Sequence, residues 1–212
     1  INLLVDKLEQ AVKGYTEPLV DQIIAIHGKD PYLILISCLI SLRARDTTTI
    51  HVCKELFARA KTPQELLALD TQELERILYK SGYYKNKAKT LRHVTQELLT
   101  RFGGTVPDSE QDLLSIKGVG QKTANLVLGL AFDKPAICVD THVHRLSNFF
   151  GLVRTKTPDQ TEQELKKVLP KKYWIRWNYL LVMYGQNVFK SGQKKLPLCP
   201  VIELVKSQKQ NL

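Results

Sequence analysis

Two apolar helical runs meet at Leu113-Leu114-Ser115-Ile116-Lys117-Gly118-Val119-Gly120-Gln121-Lys122-Thr123-Ala124, separated by only two closely spaced glycines. Nothing else in the chain restricts its fold as much. One helix must end near Ser115, and a second, over 122–131, must begin just past the turn. Glycines at 118 and 120 permit positive φ and a close backbone approach to a ligand. The free N–H groups at the start of the second helix can hold a phosphate. Together they spell a helix-hairpin-helix, a sequence-independent grip on the DNA backbone. A nucleotide phosphate loop is excluded: it needs GxxxxGK[ST] after a strand, whereas here a helix precedes and Gln121 separates Gly120 from Lys122-Thr123. A plain turn between two helices is the other reading of the same residues.

The surrounding punctuation is helical as well. Thr62-Pro63-Gln64-Glu65 and Asp70-Thr71-Gln72-Glu73 read as N-caps, the first with proline at the first helical position. Thr157-Pro158-Asp159 repeats that pattern, and a further helix is expected to start over 107–111. An amphipathic stretch over 85–102 ends at Gly103-Gly104, a helix stop. Alternating runs are scarce, with Cys138-Val139 briefly extended. The expected fold class is all-α, with around ten short helices and no internal repeat.

Composition narrows the function classes. The longest apolar stretch, residues 32–42, falls short of the ~18–20 residues of a membrane helix. The four cysteines, at 38, 53, 138 and 199, are too scattered for a disulfide framework, and Cys38 reads as a reduced core thiol. The opening residues lack a signal-peptide pattern, and the start without methionine suggests a trimmed chain. An intracellular protein is expected: cytoplasmic and nucleoid-associated in a prokaryote, otherwise nuclear or organellar. The net charge is +10, with +2 in residues 1–150 and +8 in residues 151–212. A second basic stretch, Arg76 to Arg92, contains no acid. Separated basic stretches suit a polyanion, usually nucleic acid, or simply a solvated basic surface.

Lys122 and Asp140 can meet. The helix after Gln121 climbs ~15 Å over about ten residues, and the five extended steps from Pro135 to Asp140 span about 16–18 Å. If that segment returns along the helix, an amine faces a carboxylate beside the hairpin. A lysine in the first turn feels the positive end of the helix dipole, which favours the free amine needed for Schiff-base chemistry. Two other readings stay open: Lys122 as a phosphate contact, and Asp140 as the N-cap of a helix over 141–150.

Residues 116–125 together with Val139-Asp140-Thr141-His142-Val143-His144-Arg145 resemble endonuclease III, a DNA glycosylase of the helix-hairpin-helix, Gly/Pro-Asp superfamily. The resemblance also takes in Leu39-Ile40-Ser41-Leu42-Arg43-Ala44-Arg45-Asp46, residues 81–88, Gly103-Gly104-Thr105-Val106-Pro107 and Tyr184-Gly185-Gln186. It implies two helical domains with a DNA cleft between them. One is a six-helix barrel over 22–133 that contains the hairpin; the other joins 1–21 to 134–212. It further implies a monomer acting on double-stranded DNA with a damaged base or abasic site. The base is flipped out, Lys122 attacks C1′, and β-elimination cuts the strand, while Asp140 helps deprotonate the lysine. Oxidised pyrimidines are the family default. A uracil or thymine mismatch glycosylase, an abasic-site lyase and a non-catalytic DNA binder remain the alternatives.

The resemblance assigns DNA contacts to Gly118, Val119, Gly120, Gln121 and Thr123; Lys117 departs from it, standing where proline is common, and is expected to add a phosphate contact. Tyr83 matches an inserted wedge, with core packing as its other reading. Arg43 replaces a glutamine that enters the duplex from the other side, with a phosphate contact as its rival. His142 matches a pocket residue, or a hydrogen-bonded support, and Ser41 and Asp46 face either the pocket or solvent. Many members bind a [4Fe–4S] cluster through C-x6-C-x2-C-x5-C. Here that spacing falls on Phe189, Leu196, Cys199 and Val205. The iron–sulfur cluster is therefore expected to be absent, with an apolar plug in its place. Lys190, with Lys194 and Lys195, keeps a DNA-contacting role open for this stretch.

Overall fold

The computed structural model describes residues 1–190 and Val201. Those residues are helical throughout, with twelve α-helices, two short 3-10 turns and no strand among them. They divide into two compact units, Leu19–Lys134 and Ile1–Pro18 with the chain from Pro135 onward.

The first unit is built around α3 (Pro31–Ser41), which is buried on every side from Tyr32 to Ile40. Asp30 starts it, accepting the Leu33 N–H at 3.0 Å, with Pro31 at the first helical position. A helix apolar all round needs partners on all sides. It finds them in α2 (Leu19–His27), α4 (Asp46–Phe57), α7 (Tyr84–Phe102) and α9 (Gln121–Phe132). The short helices α5 (Pro63–Ala68) and α6 (Thr71–Leu78) lie against α7. Both start as their sequences specify. Thr62 and Glu65 form a capping box, and Asp70 accepts from the Gln72 and Glu73 N–H groups. Gly103, at φ +61, ends α7 where the glycine pair stands.

The helix expected to start over 107–111 is α8 (Glu110–Ser115). Ser109 caps it, accepting the Asp112 N–H at 3.1 Å. Within that stretch Ser109 is the residue whose side chain offers the acceptor, so the helix begins at Glu110.

The second unit packs α1 (Asn2–Val12), α10 (Thr141–Phe149), α11 (Pro158–Val168) and α12 (Trp174–Asn187) around one core. Leu8, Ile137, Leu146, Trp177, Leu181 and Tyr184 lie in it, and Val201 joins them. Trp177 keeps its indole N–H satisfied at depth by donating to Ser147 Oγ, 3.2 Å away. The Cys138-Val139 segment is buried but forms no ladder.

Candidate functional site

The hairpin is closed by its own backbone: the Val119 N–H donates to the Ile116 carbonyl at 3.0 Å, over a fully buried Ile116. The two glycines have different reasons to be glycine. Gly118 has φ +106, and a Cβ there would stand 2.8 Å from Thr90 Cγ2. Both conformation and packing against α7 exclude a side chain. Gly120 has φ −96 and ψ 172, and nothing lies within 4 Å of where its Cβ would be. The expected positive φ thus holds only at Gly118. Gly120 instead leaves bare backbone facing open space.

Gly120 is also the N-cap of α9, and no side chain caps that helix. Its first N–H groups therefore carry the positive end of the dipole without a side-chain acceptor, an arrangement suited to a phosphate. Lys117 is exposed beside them. Val119 and Thr123 are buried, which leaves their main chain as the part that can reach a ligand. The Gln121 amide donates to Glu110 Oε1 and to Asn125 Oδ1, tying α8 to α9.

Lys122 stands in the first turn of α9 with its side chain exposed. It has no hydrogen-bond or ion-pair partner among the described residues. At the far end of α9, Lys29 pairs with Asp133 at 2.6 Å and Lys134 with Asp108 at 2.7 Å. Under Lys122, in α3, lies the buried Cys38. Burial pushes its thiol up to about 12, outweighing the opposing pull of the Lys122 charge. Cys38 is thus an inert core thiol, not a second nucleophile.

Arg43 and Tyr83 share an unusual geometry. Arg43 has φ +55 and Tyr83 φ +50, two of only three non-glycine residues with positive φ among the described residues. The Arg43 guanidinium lies over the Tyr83 ring, 5.7 Å from its centroid. Tyr83 is 63% exposed, which excludes core packing for it. The half-buried Tyr84 stands edge-on to the exposed Tyr79, ring centroids 5.2 Å apart. Strain at two touching, exposed side chains is typical of a binding site. The loop below is braced by Lys87, a buried lysine that donates to the Ser81 carbonyl at 2.7 Å. Burial holds its ammonium below the ordinary lysine range. The Ser41 hydroxyl donates to the Cys38 carbonyl at 2.7 Å, and half-buried Asp46 opens α4.

In the second unit Asp140 caps α10, its Oδ1 accepting the Val143 N–H at 2.8 Å. Helix capping therefore occupies one carboxylate oxygen; the other has no partner among the described residues. His142 rests on Gly185 of α12, where a Cβ would fall 2.3 Å from its Nδ1. Sequence reasoning missed this contact. Its signal was the glycine inside an otherwise continuous helix.

The chain after α12 does not carry the donor set of a four-thiolate cluster. Phe189 is buried, its ring 4.7 Å from Phe149, with the Arg145 guanidinium 5.0 Å over its face and donating to its carbonyl. Leu196, Cys199 and Val205 lie outside the described residues. Exposed Lys190 directly follows Phe189. No three His, Cys, Asp or Glu side chains among the described residues are grouped to hold a metal ion, and no helix there is long and apolar enough to cross a membrane.

Residues 36–171 match the HhH-GPD superfamily of base excision DNA repair proteins. Endonuclease III of Thermotoga maritima is 44% identical over 170 residues, covering 80% of this chain and 78% of that protein. Among solved structures, a non-covalent endonuclease III–DNA complex is similar at TM-score 0.78 and 30% identity, covering 90% of this chain and 95% of that one. A trapped endonuclease III–DNA covalent intermediate matches at TM-score 0.78 and 31% identity, with the same coverage. The match spans more than half of the chain, and the Thermotoga relative extends it over four-fifths: the chain belongs to the HhH-GPD superfamily of base excision DNA repair proteins, within the endonuclease III family.

Proposed function

We propose that this protein is a DNA glycosylase with lyase activity, removing damaged bases, oxidised pyrimidines first among them, from double-stranded DNA. The observation that carries this reading is Lys122: an exposed amine without a partner among the described residues, two residues beyond the bare backbone of a hairpin suited to phosphate. The amine's lone pair forms a bond to C1′ of the sugar as the bond to the base breaks, and the base leaves with that electron pair and takes up a proton. The sugar ring opens to an imine. Loss of a C2′ proton then expels the 3′ phosphate and cuts the strand.

In this account Asp140 supplies the carboxylate that receives the lysine proton and offsets positive charge on the sugar. Its cap bond to Val143 holds it in place, as a second hydrogen bond commonly orients a catalytic group. Gly120 and Lys117 hold the phosphates, Gly118 shapes the turn that presents them, and Arg43 and Tyr83 fill the gap left by the base. His142 and the Ser41–Asp46 segment face the extruded base. The comparisons support the activity through the endonuclease III relatives. Lys122 without a partner also speaks against a purely non-catalytic binder. We further infer that the chain works without an iron–sulfur cluster: Phe189 at one ligand position, and leucine and valine at two others, offer no thiolate.

Borohydride trapping on duplexes carrying one thymine glycol or one abasic site tests this reading. The parent protein is expected to form a covalent adduct on both, and Lys122→Ala on neither. Asp140→Asn should slow base release by about 10²–10⁴-fold, the usual range for positioned proton transfer. An adduct that persists in Lys122→Ala removes the lysine from the mechanism. Trapping on the abasic duplex alone makes the protein a lyase or a glycosylase for another lesion.

A further inference from the structure

Gly185 lies inside α12, close to its C-terminal end, where the backbone is ordinary helix. A glycine at such a position weakens a helix relative to alanine, and no turn or positive φ calls for one here. What it leaves is room, and His142 of α10 fills that room. A Cβ on Gly185 would stand 2.3 Å from the imidazole Nδ1, 2.9 Å from Cγ and 3.2 Å from the His142 Cβ. Cγ and Cβ lie on the axis about which the ring turns, so turning the ring cannot relieve the overlap.

The two helices are also pinned in register. Three residues after His142, the Arg145 guanidinium donates to the carbonyl of Phe189, four residues after Gly185, and stands 5.0 Å over its ring. Leu146 and Tyr184, next in sequence to Arg145 and Gly185, are fully buried in the shared core. A side chain at 185 would therefore displace the ring rather than the helix. That ring is half-buried and has no hydrogen-bond or ion-pair partner among the described residues. With its Nδ1 edge against α12, Nε2 is the nitrogen left for a ligand, in the same first turn of α10 that Asp140 caps. We propose that Gly185 is a positioning residue for damage recognition: the seat it leaves sets the His142 imidazole so that Nε2 meets the extruded base. The proposal rests on the glycosylase reading and adds to it the residue through which α12 fixes the base contact.

Gly185→Ala tests it. The ring must retreat from 2.3 Å to the 3.4 Å of ordinary contact, a shift of about 1 Å, and a misplacement of that size costs up to about 10²-fold in rate. Single-turnover release of thymine glycol, or of mismatched uracil if the parent acts on that base instead, should be at least about tenfold slower in Gly185→Ala. Strand cleavage at a preformed abasic site, where no base is left to contact, should keep the parent rate. Equal slowing of both steps would mark a general loss of structure and overturn the proposal, as would unchanged base release. The double variant His142→Ala/Gly185→Ala removes the ring that the new Cβ meets, so it is expected to unfold at the urea midpoint of His142→Ala even if Gly185→Ala folds poorly. Base release in it should be no slower than in His142→Ala, since the two substitutions act through one contact. A further slowing shows that Gly185 acts otherwise than through His142 and also overturns the proposal. A parent that cleaves abasic DNA but releases neither base overturns the glycosylase reading and the proposal with it, a failure seen in the parent and not in the variants.

Discussion

Gly118 and Gly120 stand two residues apart, yet substitution should separate them cleanly. At Gly118 alanine meets a left-handed φ and a methyl group 2.8 Å away. Gly118→Ala should cost on the order of 1–3 kcal/mol in urea unfolding, as strained positions do. At Gly120 the backbone is extended and the space beyond it empty, so Gly120→Ala should change stability by less than about 0.5 kcal/mol. Its effect should appear in DNA affinity, because a methyl group there stands between the backbone and a phosphate. Equal loss of stability in both variants would contradict this division. The motif was legible in the sequence; which glycine served the fold and which the ligand was not. That depends on Thr90, 28 residues earlier, which no local pattern brings to the hairpin. His142 on Gly185 and the left-handed Arg43 and Tyr83 were hidden for the same reason, since contacts distant in sequence decide them.

The helices themselves were largely legible because their starts are local chemistry. Thr62, Asp70 and Thr157 cap where the sequence indicates, each with its own side-chain oxygen. The segment after α12 is the opposite case. Sequence alone offered a missing donor set and an apolar replacement, while the structure seats Phe189 between Phe149 and Arg145. Phe189→Ala should therefore destabilise the protein by about 3–5 kcal/mol in thermal or urea unfolding, and chelators should change neither stability nor trapping. A parent protein that loses either on chelation would contradict an anchor without metal. Within α3 and α4, Cys38 and Cys53 are buried with thiols pushed up to about 12 by desolvation. The unfolded chain ionises these thiols near 9 and the folded chain only near 12. Their contribution to stability is thus complete below pH 9 and is lost as pH rises towards 12. Urea midpoints measured from pH 8 upward should fall less steeply in Cys38→Ala and Cys53→Ala than in the parent.

Across the whole molecule, a net charge of +10 sets the salt response of binding. Affinity for undamaged duplex should fall linearly in log–log form as salt rises, and Lys117→Ala should reduce that slope by about one. A slope unchanged in Lys117→Ala would remove that residue from the phosphate grip. Charge and motifs together made nucleic acid and the family legible from the sequence. The chemistry depends on the Lys122 amine standing exposed in the first turn of α9 with no partner among the described residues, which only the fold reveals. Protease digestion and mass spectrometry of the borohydride-trapped protein–DNA adduct would test this most directly. The sugar remnant is expected on the peptide containing Lys122. A remnant on Lys117, on Lys87 or on the terminal amine would contradict it.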